Sequence, residues 1–178
     1  MARKILLCGF MGCGKTTLAN KLSSPDVKVF DLDKRIVERL GGESIASFVK
    51  SNGWTQFREA ETKELKSFLE DNQEMDQVLS LGGGAVSAEN LKVILEAEAL
   101  LVWLNIPFET CFERIKDDPE RPLVLEKGES GLRELFESRL EQYGAAQCHI
   151  GPKDLKKIQN FQDFLQRLGE LGLLDADS

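Results

Sequence analysis

The sequence predicts a three-layer α/β fold in which a doubly wound parallel sheet is flanked by helices. Short apolar runs alternate with longer segments that have helical periodicity. The run LLVWL at residues 100–104 is apolar at every position, which is typical of a strand covered by helices on both faces. A chain of 178 residues, with 42% apolar and 30% charged residues, is suited to one buried core. We therefore expect a single domain spanning residues 1–178.

Four strands are predicted, separated by helical segments. The strands are Lys4–Cys8, Val27–Asp31, 77–81 and 100–104. The helices cover residues 15–23, 33–40, 44–51, 55–71, 87–96, 108–116 and 131–146. Apolar residues at helical spacing after position 160 predict a further helix that packs on the sheet. The polar stretch at about 117–130 is broken by Pro119, Pro122 and Gly128, which predicts a mobile lid.

Charge and composition exclude several classes of protein. The net charge of −7 argues against a nucleic-acid binder, which needs a broad basic face. No apolar run is long enough to cross a bilayer, and no signal peptide precedes the first strand, so we expect a cytoplasmic protein. The four cysteines form no C-x-x-C pair, which favours free thiols over a zinc site or disulfides.

A complete phosphate-loop motif lies between the first strand and the first helix. Residues 9–16 read GFMGCGKT and match the pattern G-x-x-x-x-G-K-[ST]. Backbone N–H groups of such a loop surround phosphate oxygens, the lysine reaches the β- and γ-phosphates, and the hydroxyl that follows it binds Mg²⁺. The predicted nucleotide ligands are Gly12, Cys13, Gly14, Lys15, Thr16 and Thr17, with Thr16 also a ligand of Mg²⁺.

Two aspartates end the second strand, which we expect to lie beside the phosphate loop. Of Asp31 and Asp33, one could hold Mg²⁺ through water while the other accepts a hydrogen bond from an attacking hydroxyl. We assign the metal to Asp31. For Asp33 the alternative is an ordinary helix N-cap.

Three further polar features are ambiguous when taken singly. The glycine run at 82–84 follows a strand and suits either a tight turn or close approach to a ligand. Arg58 and Glu61 have the spacing of a surface ion pair, and Arg139 could lie on a solvated helix face.

Several motifs carry a family resemblance when they are taken together. They are residues 9–16, DLD at 31–33, Gly53 with Phe57, Arg58 and Glu61, LGGGAV at 81–86, RPL at 121–123, and Arg139 with Tyr143.

In order and spacing these motifs resemble the shikimate kinases over most of the chain. The resemblance implies transfer of the γ-phosphoryl group of ATP to a hydroxyl of shikimate in aromatic amino acid biosynthesis, with Mg²⁺, by a monomeric P-loop enzyme. Residues 33–60 would form the substrate-binding segment. Lys15, Asp33 and Arg121 would be catalytic, and Arg114 and Arg121 would contact ATP. The implied shikimate ligands are Asp33, Phe57, Arg58, Gly82, Gly83, Gly84 and Arg139.

Two positions depart from the family pattern. Trp54 stands where the shikimate kinases usually carry glutamate, which predicts the loss of a contact that steadies Arg58. Gln147 stands where a small residue is expected.

Two alternatives remain. A gluconate or nucleoside-monophosphate kinase would share the phosphate loop, but a nucleotide acceptor would call for basic groups on its phosphate and a pocket for its base. A regulatory nucleotide-binding module should have lost the groups used only in transfer, whereas Lys15, Asp33 and Arg121 are all present.

Overall fold

The computed structural model describes residues 2–118 and 122–173 and contains a five-stranded parallel sheet. Neighbouring strands follow the order β2-β3-β1-β4-β5. The predicted parallel sheet flanked by helices is therefore confirmed. The fifth strand was not predicted, because three residues are too few to show a periodic pattern. The strands are β1 Lys4–Cys8, β2 Val27–Asp31, β3 Asp76–Ser80, β4 Ala99–Leu104 and β5 Cys148–Ile150.

Eight helices connect and flank these strands within the described residues. Two of them bend at glycines with positive φ, α3 at Gly53 (φ 86°) and α6 at Gly128 (φ 61°). The bend at Gly53 separates the two helices predicted at 44–51 and 55–71. The helices are α1 Lys15–Leu22, α2 Leu32–Arg39, α3 Ile45–Glu70, α4 Ala88–Glu96, α5 Phe108–Ile115, α6 Pro122–Gly144, α7 Pro152–Lys157 and α8 Phe161–Glu170.

The strand order corrects one expectation about the site. We expected β2, which ends in Asp31, to lie next to β1, but β3 lies between them, with Val78 in register with both Ile5 and Val29. The carboxyl end of β3 therefore separates the phosphate loop from the aspartates. Since Gly82 follows β3 almost at once, this order puts the glycine segment at the centre of the site.

Part of the predicted lid is helical. The helix α6 begins at Pro122 and bends at Gly128, so residues 122–130 of the 117–130 segment belong to this helix. Residues 119–121, including Arg121, lie outside the described part of the chain. The movement of this segment stays a prediction.

Gln147 extends the edge of the sheet through its side chain. Its Oε1 accepts a hydrogen bond from the Leu101 N–H at 2.8 Å, and its Nε2 donates to the Ala99 carbonyl oxygen at 3.4 Å. These two backbone groups flank Leu100, as the partners of a paired residue in a parallel ladder would. The side-chain amide thus continues the β4–β5 pairing, which begins at Val102 and Cys148, as far as Leu100.

No helix among residues 2–118 and 122–173 has both the length and the apolar character needed to cross a bilayer.

Candidate active site

A cleft of about 920 Å³ lies at the carboxyl ends of the strands. Loops that follow parallel strands meet at this edge, which is where α/β folds place their ligands. The cleft brings together most of the residues that the sequence predicted as ligands. Those that line it are Gly12, Gly14, Lys15, Thr16, Thr17, Asp31, Asp33, Gly82, Gly83 and Arg114.

The phosphate loop packs tightly against α5. Gly12 has φ 78°, and a Cβ added there would lie 2.6 Å from the Cys111 carbonyl oxygen, so only glycine fits. The Lys15 Nζ donates to the carbonyl oxygens of Gly9 at 2.8 Å and Phe10 at 3.1 Å. The ammonium group is therefore held against the loop at the start of α1, where the positive end of the helix also favours an anion.

Arg114 braces the same loop from α5. Its Nη1 donates to the Gly12 carbonyl oxygen at 2.8 Å, and its side chain lines the cleft. Cys13 is only 1% exposed, so its thiol is packed inside the loop and shielded from solvent. The group of Cys13 that is suited to contact a phosphate is therefore its backbone N–H, not its thiol.

The two aspartates have different surroundings. Asp31 is the N-cap of α2, and its side chain accepts a hydrogen bond from the Lys34 N–H at 3.1 Å. The capping role that the sequence allowed for Asp33 therefore belongs to Asp31. Asp33 lies in the first turn of α2 against the glycine segment, where a Cβ on Gly82 would come within 2.8 Å of its Oδ1.

Burial raises the pKa of Asp33 above its ordinary value, and the charge of Asp31 adds to this effect. The positive charges of Lys15 and Arg58 act in the opposite direction. A carboxylate with a raised pKa accepts a proton more readily than an ordinary aspartate does.

Two guanidinium groups converge on Gly84. A Cβ added to Gly84 would lie 2.6 Å from the Arg58 Nη2 and 3.2 Å from the Arg139 Nη2, and one on Gly83 would lie 3.2 Å from the Arg139 Nη1. That Arg139 Nη1 is buried and has no hydrogen-bond partner among the described residues. A buried unpaired donor beside a second guanidinium group is suited to a planar carboxylate.

Arg58 is held by charge and by aromatic rings. Its Nη1 lies 2.7 Å from the Glu61 Oε2, and Glu61 is only 1% exposed. Burial keeps the pKa of this glutamate above its ordinary value, although the contact with Arg58 acts in the opposite direction. The Arg58 guanidinium carbon also lies 5.5 Å from the Trp54 ring centroid and 5.4 Å from that of Phe57. Trp54 thus supplies a cation–π contact of its own where the sequence predicted a lost contact. Phe57 is buried.

Hydrogen bonds that the sequence did not indicate hold the glycine segment. The Tyr143 hydroxyl donates to the Gly83 carbonyl oxygen at 2.6 Å. The Thr62 hydroxyl donates to the Asn90 Oδ1 at 2.6 Å, and the Asn90 Nδ2 donates to the Ala85 carbonyl oxygen at 2.8 Å. The sequence feature that could have indicated the hydrogen bonds of Asn90 is its place as a polar residue on the apolar face of a predicted helix.

Residues of α7 also line the cleft, and the sequence predicted no role for them. Pro152, Leu155 and Lys156 lie there together with Thr110 of α5. Pro152 and Leu155 add apolar surface, and a Cβ on Gly14 would lie 3.8 Å from both the Leu155 side chain and the Arg114 Nη1.

Two oxygen ligands in the cleft fit a magnesium ion. The Thr16 hydroxyl and the Asp31 carboxylate both belong to the lining, and Mg²⁺ is commonly held by one or two protein oxygens together with water and phosphate. The described residues contain no cluster of three or more histidine, cysteine or acidic side chains able to hold a metal. A metal that shares its ligands with a nucleotide needs no such cluster.

The phosphate loop after β1 and the parallel sheet define a P-loop nucleotide-binding protein. A family model for shikimate kinase matches residues 11–169. The chain is 34% identical to the shikimate kinase of Persephonella marina over 168 residues, 93% of this chain and 99% of that protein. It is 35% identical to the Enterococcus faecalis shikimate kinase, over 93% and 98% of the two chains. The chain belongs to the shikimate kinase family.

Solved structures agree with this assignment. A shikimate kinase from Acinetobacter baumannii in complex with shikimate has a TM-score of 0.81 and 29% identity, over 98% of this chain and 97% of that chain. The shikimate kinase from Aquifex aeolicus has a TM-score of 0.77 and 31% identity, over 96% and 98% of the two chains.

Proposed function

We propose that this chain transfers the γ-phosphoryl group of ATP to a hydroxyl of shikimate, giving shikimate 3-phosphate for aromatic amino acid biosynthesis. The observation that carries the proposal is the meeting of Arg58 and Arg139 at Gly84, directly after Gly82 and Gly83, which line the cleft with Asp33 and the phosphate loop. A small acceptor with one carboxylate and several hydroxyls matches this arrangement. The family membership, and the shikimate bound to the Acinetobacter relative, support the same acceptor.

Arg58 and Arg139 would clamp the carboxylate, since paired guanidinium groups bind planar oxyanions in a fixed orientation. Asp33 would bind a ring hydroxyl and accept its proton as the oxygen attacks phosphorus. The raised pKa of Asp33 suits this role, because a general base works best when its pKa approaches the working pH. Phe57, Gly82, Gly83 and Gly84 would shape the wall around the ring.

The phosphate side would orient ATP and stabilise the charge of the transferring group. Backbone N–H groups of Gly12, Cys13 and Gly14 and the Lys15 ammonium would contact phosphates, and Thr17 would contribute at the start of α1. Thr16 and Asp31 would hold Mg²⁺, which when bound neutralises charge on the β- and γ-phosphates. Arg114 would lie near the adenine, and Arg121 would complete the site from the lid.

We further propose that residues 1–178 work as one kinase domain, as a cytoplasmic monomer. The near-complete coverage of both chains in the comparison with the Persephonella relative supports the single domain. Size-exclusion chromatography with light scattering tests the monomer: a mass near 19.9 kDa is expected, and twice that mass would contradict it.

The experiment is phosphoryl transfer from ATP with Mg²⁺, offering shikimate, gluconate and nucleoside monophosphates in parallel. Product from shikimate alone is expected. Transfer to gluconate or to a nucleoside monophosphate would still identify a P-loop kinase, but it would contradict the proposed roles of Arg58 and Arg139. Nucleotide binding without any transfer would point to a regulatory module.

A further inference from the structure

A buried acidic side chain joins α3, the helix that carries Arg58, to α2, the helix that carries Asp33. Glu64 of α3 has a side chain that is 5% exposed, and two arginines of α2 share its carboxylate. The Arg35 Nε lies 2.7 Å from the Glu64 Oε1, and the Arg39 Nε lies 2.6 Å from the Oε2. Each oxygen therefore has its own cation.

Aromatic packing and a further hydrogen bond complete this cluster, which we call the Glu64 network. The Arg35 guanidinium carbon lies 5.3 Å from the Phe30 ring centroid and 5.7 Å from that of Phe68. The Arg39 Nη2 donates to the Ser67 hydroxyl at 2.9 Å. The network thus joins the end of β2, residues 35–39 of α2 and the second half of α3.

Such a network is poorly suited to adding stability. Removing a carboxylate and a guanidinium group from water is costly, and apolar replacements of buried ion pairs are often as stable as the original. What the ion pairs do provide is geometry. Arg35 and Arg39 are one helical turn apart, and their contacts with the two oxygens of one carboxylate hold α2 in its observed register against α3.

That register determines the distance between groups on opposite sides of the substrate pocket. Asp33 lies two residues before Arg35 on α2, and Arg58 lies six residues before Glu64 on α3. The opposite side of α3 is attached to the glycine segment through Thr62 and Asn90. The Glu64 network attaches α3 to α2, the helix that carries Asp33.

We propose that Glu64, with Arg35 and Arg39, is a positioning residue that sets the separation between Asp33 and Arg58 for the acceptor. This inference rests on the proposed function, because it assigns the acceptor to the space between those two side chains. Glu64 pairs with Arg35 and Arg39 rather than with a proposed shikimate ligand, so its effect would pass through α2 and α3.

The test compares the double variant Glu64→Leu/Arg35→Met with Glu38→Gln, which removes an exposed carboxylate from the same helix, α2. The readouts are the melting temperature, the KM and calorimetric Kd for shikimate, and the calorimetric Kd for ADP. We expect the double variant to keep its melting temperature and ADP affinity. Its KM and Kd for shikimate should rise about tenfold, because displacement of a binding group by a fraction of an ångström to 1 Å is enough for such a loss. Glu38→Gln should match the wild type in all four.

An unchanged shikimate KM and Kd in a folded double variant would overturn the inference, as would an equal loss of ADP and shikimate affinity. If the double variant does not fold, Arg39→Gln replaces it. Arg39 is 56% exposed, and its loss should raise the shikimate KM about threefold, the size of one exposed charge contact; an unchanged KM there would also overturn the inference. Failure of the proposed function is distinct, since the wild type would then transfer no phosphoryl group to shikimate.

Discussion

The Tyr143 hydroxyl donates a 2.6 Å hydrogen bond to the Gly83 carbonyl oxygen across 60 positions of the chain. Tyr143 is 1% exposed, and its ring lies 6.0 Å from that of Trp103, measured between centroids. The glycine segment between Asp33 and the two arginines is therefore fixed to α6, the helix that carries Arg139. One hydrogen bond thus links two walls of the proposed substrate pocket.

Tyr143→Phe should weaken both folding and acceptor binding. The variant keeps the ring and leaves the half-buried Gly83 carbonyl oxygen without this donor, which costs about 0.5–1.5 kcal/mol, the net value of one hydrogen bond. We expect a lower free energy of unfolding in urea and a several-fold higher KM for shikimate, with the KM for ATP nearly unchanged. Wild-type values for both unfolding and shikimate KM would show that the hydrogen bond does not hold the segment.

Gly84→Ala should impair acceptor binding while leaving the fold intact. The added Cβ would lie 2.6 Å from the Arg58 Nη2, and the flexible guanidinium group must move away from its position. We expect the KM for shikimate to rise about tenfold, the size of losing a good part of a charged hydrogen bond, with a near-normal melting temperature. Gly144→Ala is the control, because a Cβ there meets nothing within 4 Å. Equal KM values in the two variants would contradict the carboxylate clamp.

Gln147→Ala should destabilise the protein without affecting the site. The variant loses the two hydrogen bonds to the backbone of β4, worth about 1–2 kcal/mol together. The measurement is the free energy of unfolding in urea, and Gln162→Ala, at an exposed position of α8, is the matched control that should leave it unchanged. An unchanged free energy of unfolding for Gln147→Ala would mean that water replaces the side-chain amide at no cost.

The raised pKa of Asp33 predicts a pH-dependent gain in stability for Asp33→Asn. Burial and the Asp31 charge raise this pKa above its ordinary value of 3.8, so the folded protein keeps a proton that the unfolded chain has already released. The stability contributed by Asp33 is then fully present in acid, below the ordinary pKa, and is lost as the pH rises through the raised one. Asp33→Asn should melt above the wild type at pH 7, by a margin that shrinks towards pH 4.

Asp26→Asn, at an exposed position, is the control for this experiment and should melt at the same temperature as the wild type at each pH. If the melting temperature of Asp33→Asn exceeded that of the wild type by more in acid than at pH 7, the sign of the Asp33 pKa shift would be wrong.

Local patterns in the sequence were enough for much of the fold. The phosphate loop at residues 9–16 and the apolar strand at 100–104 are complete motifs within a few neighbouring residues, so their type and position could be predicted. The meeting of Asp33, Arg58 and Arg139 was implied by a family resemblance, because nothing in their separate surroundings distinguishes them from ordinary surface residues.

Features that depend on packing between distant segments could not be predicted. The insertion of β3 between β1 and β2 is a property of the whole sheet. The choice of Asp31 over Asp33 as the N-cap depends on a difference of two residues in where α2 begins. The partners of Tyr143 and Glu64 lie 60 and about 25–30 positions away, beyond the reach of any periodic pattern.

The most direct test of the central claim is the turnover of Asp33→Asn with ATP, Mg²⁺ and saturating shikimate, measured beside its calorimetric Kd for shikimate. If Asp33 accepts the proton of the attacking hydroxyl, kcat should fall about 10²–10⁴-fold, while the Kd changes by only a few-fold because Asn keeps the shape of the side chain. Turnover close to the wild type would contradict the account, since the acceptor hydroxyl would then be activated without Asp33.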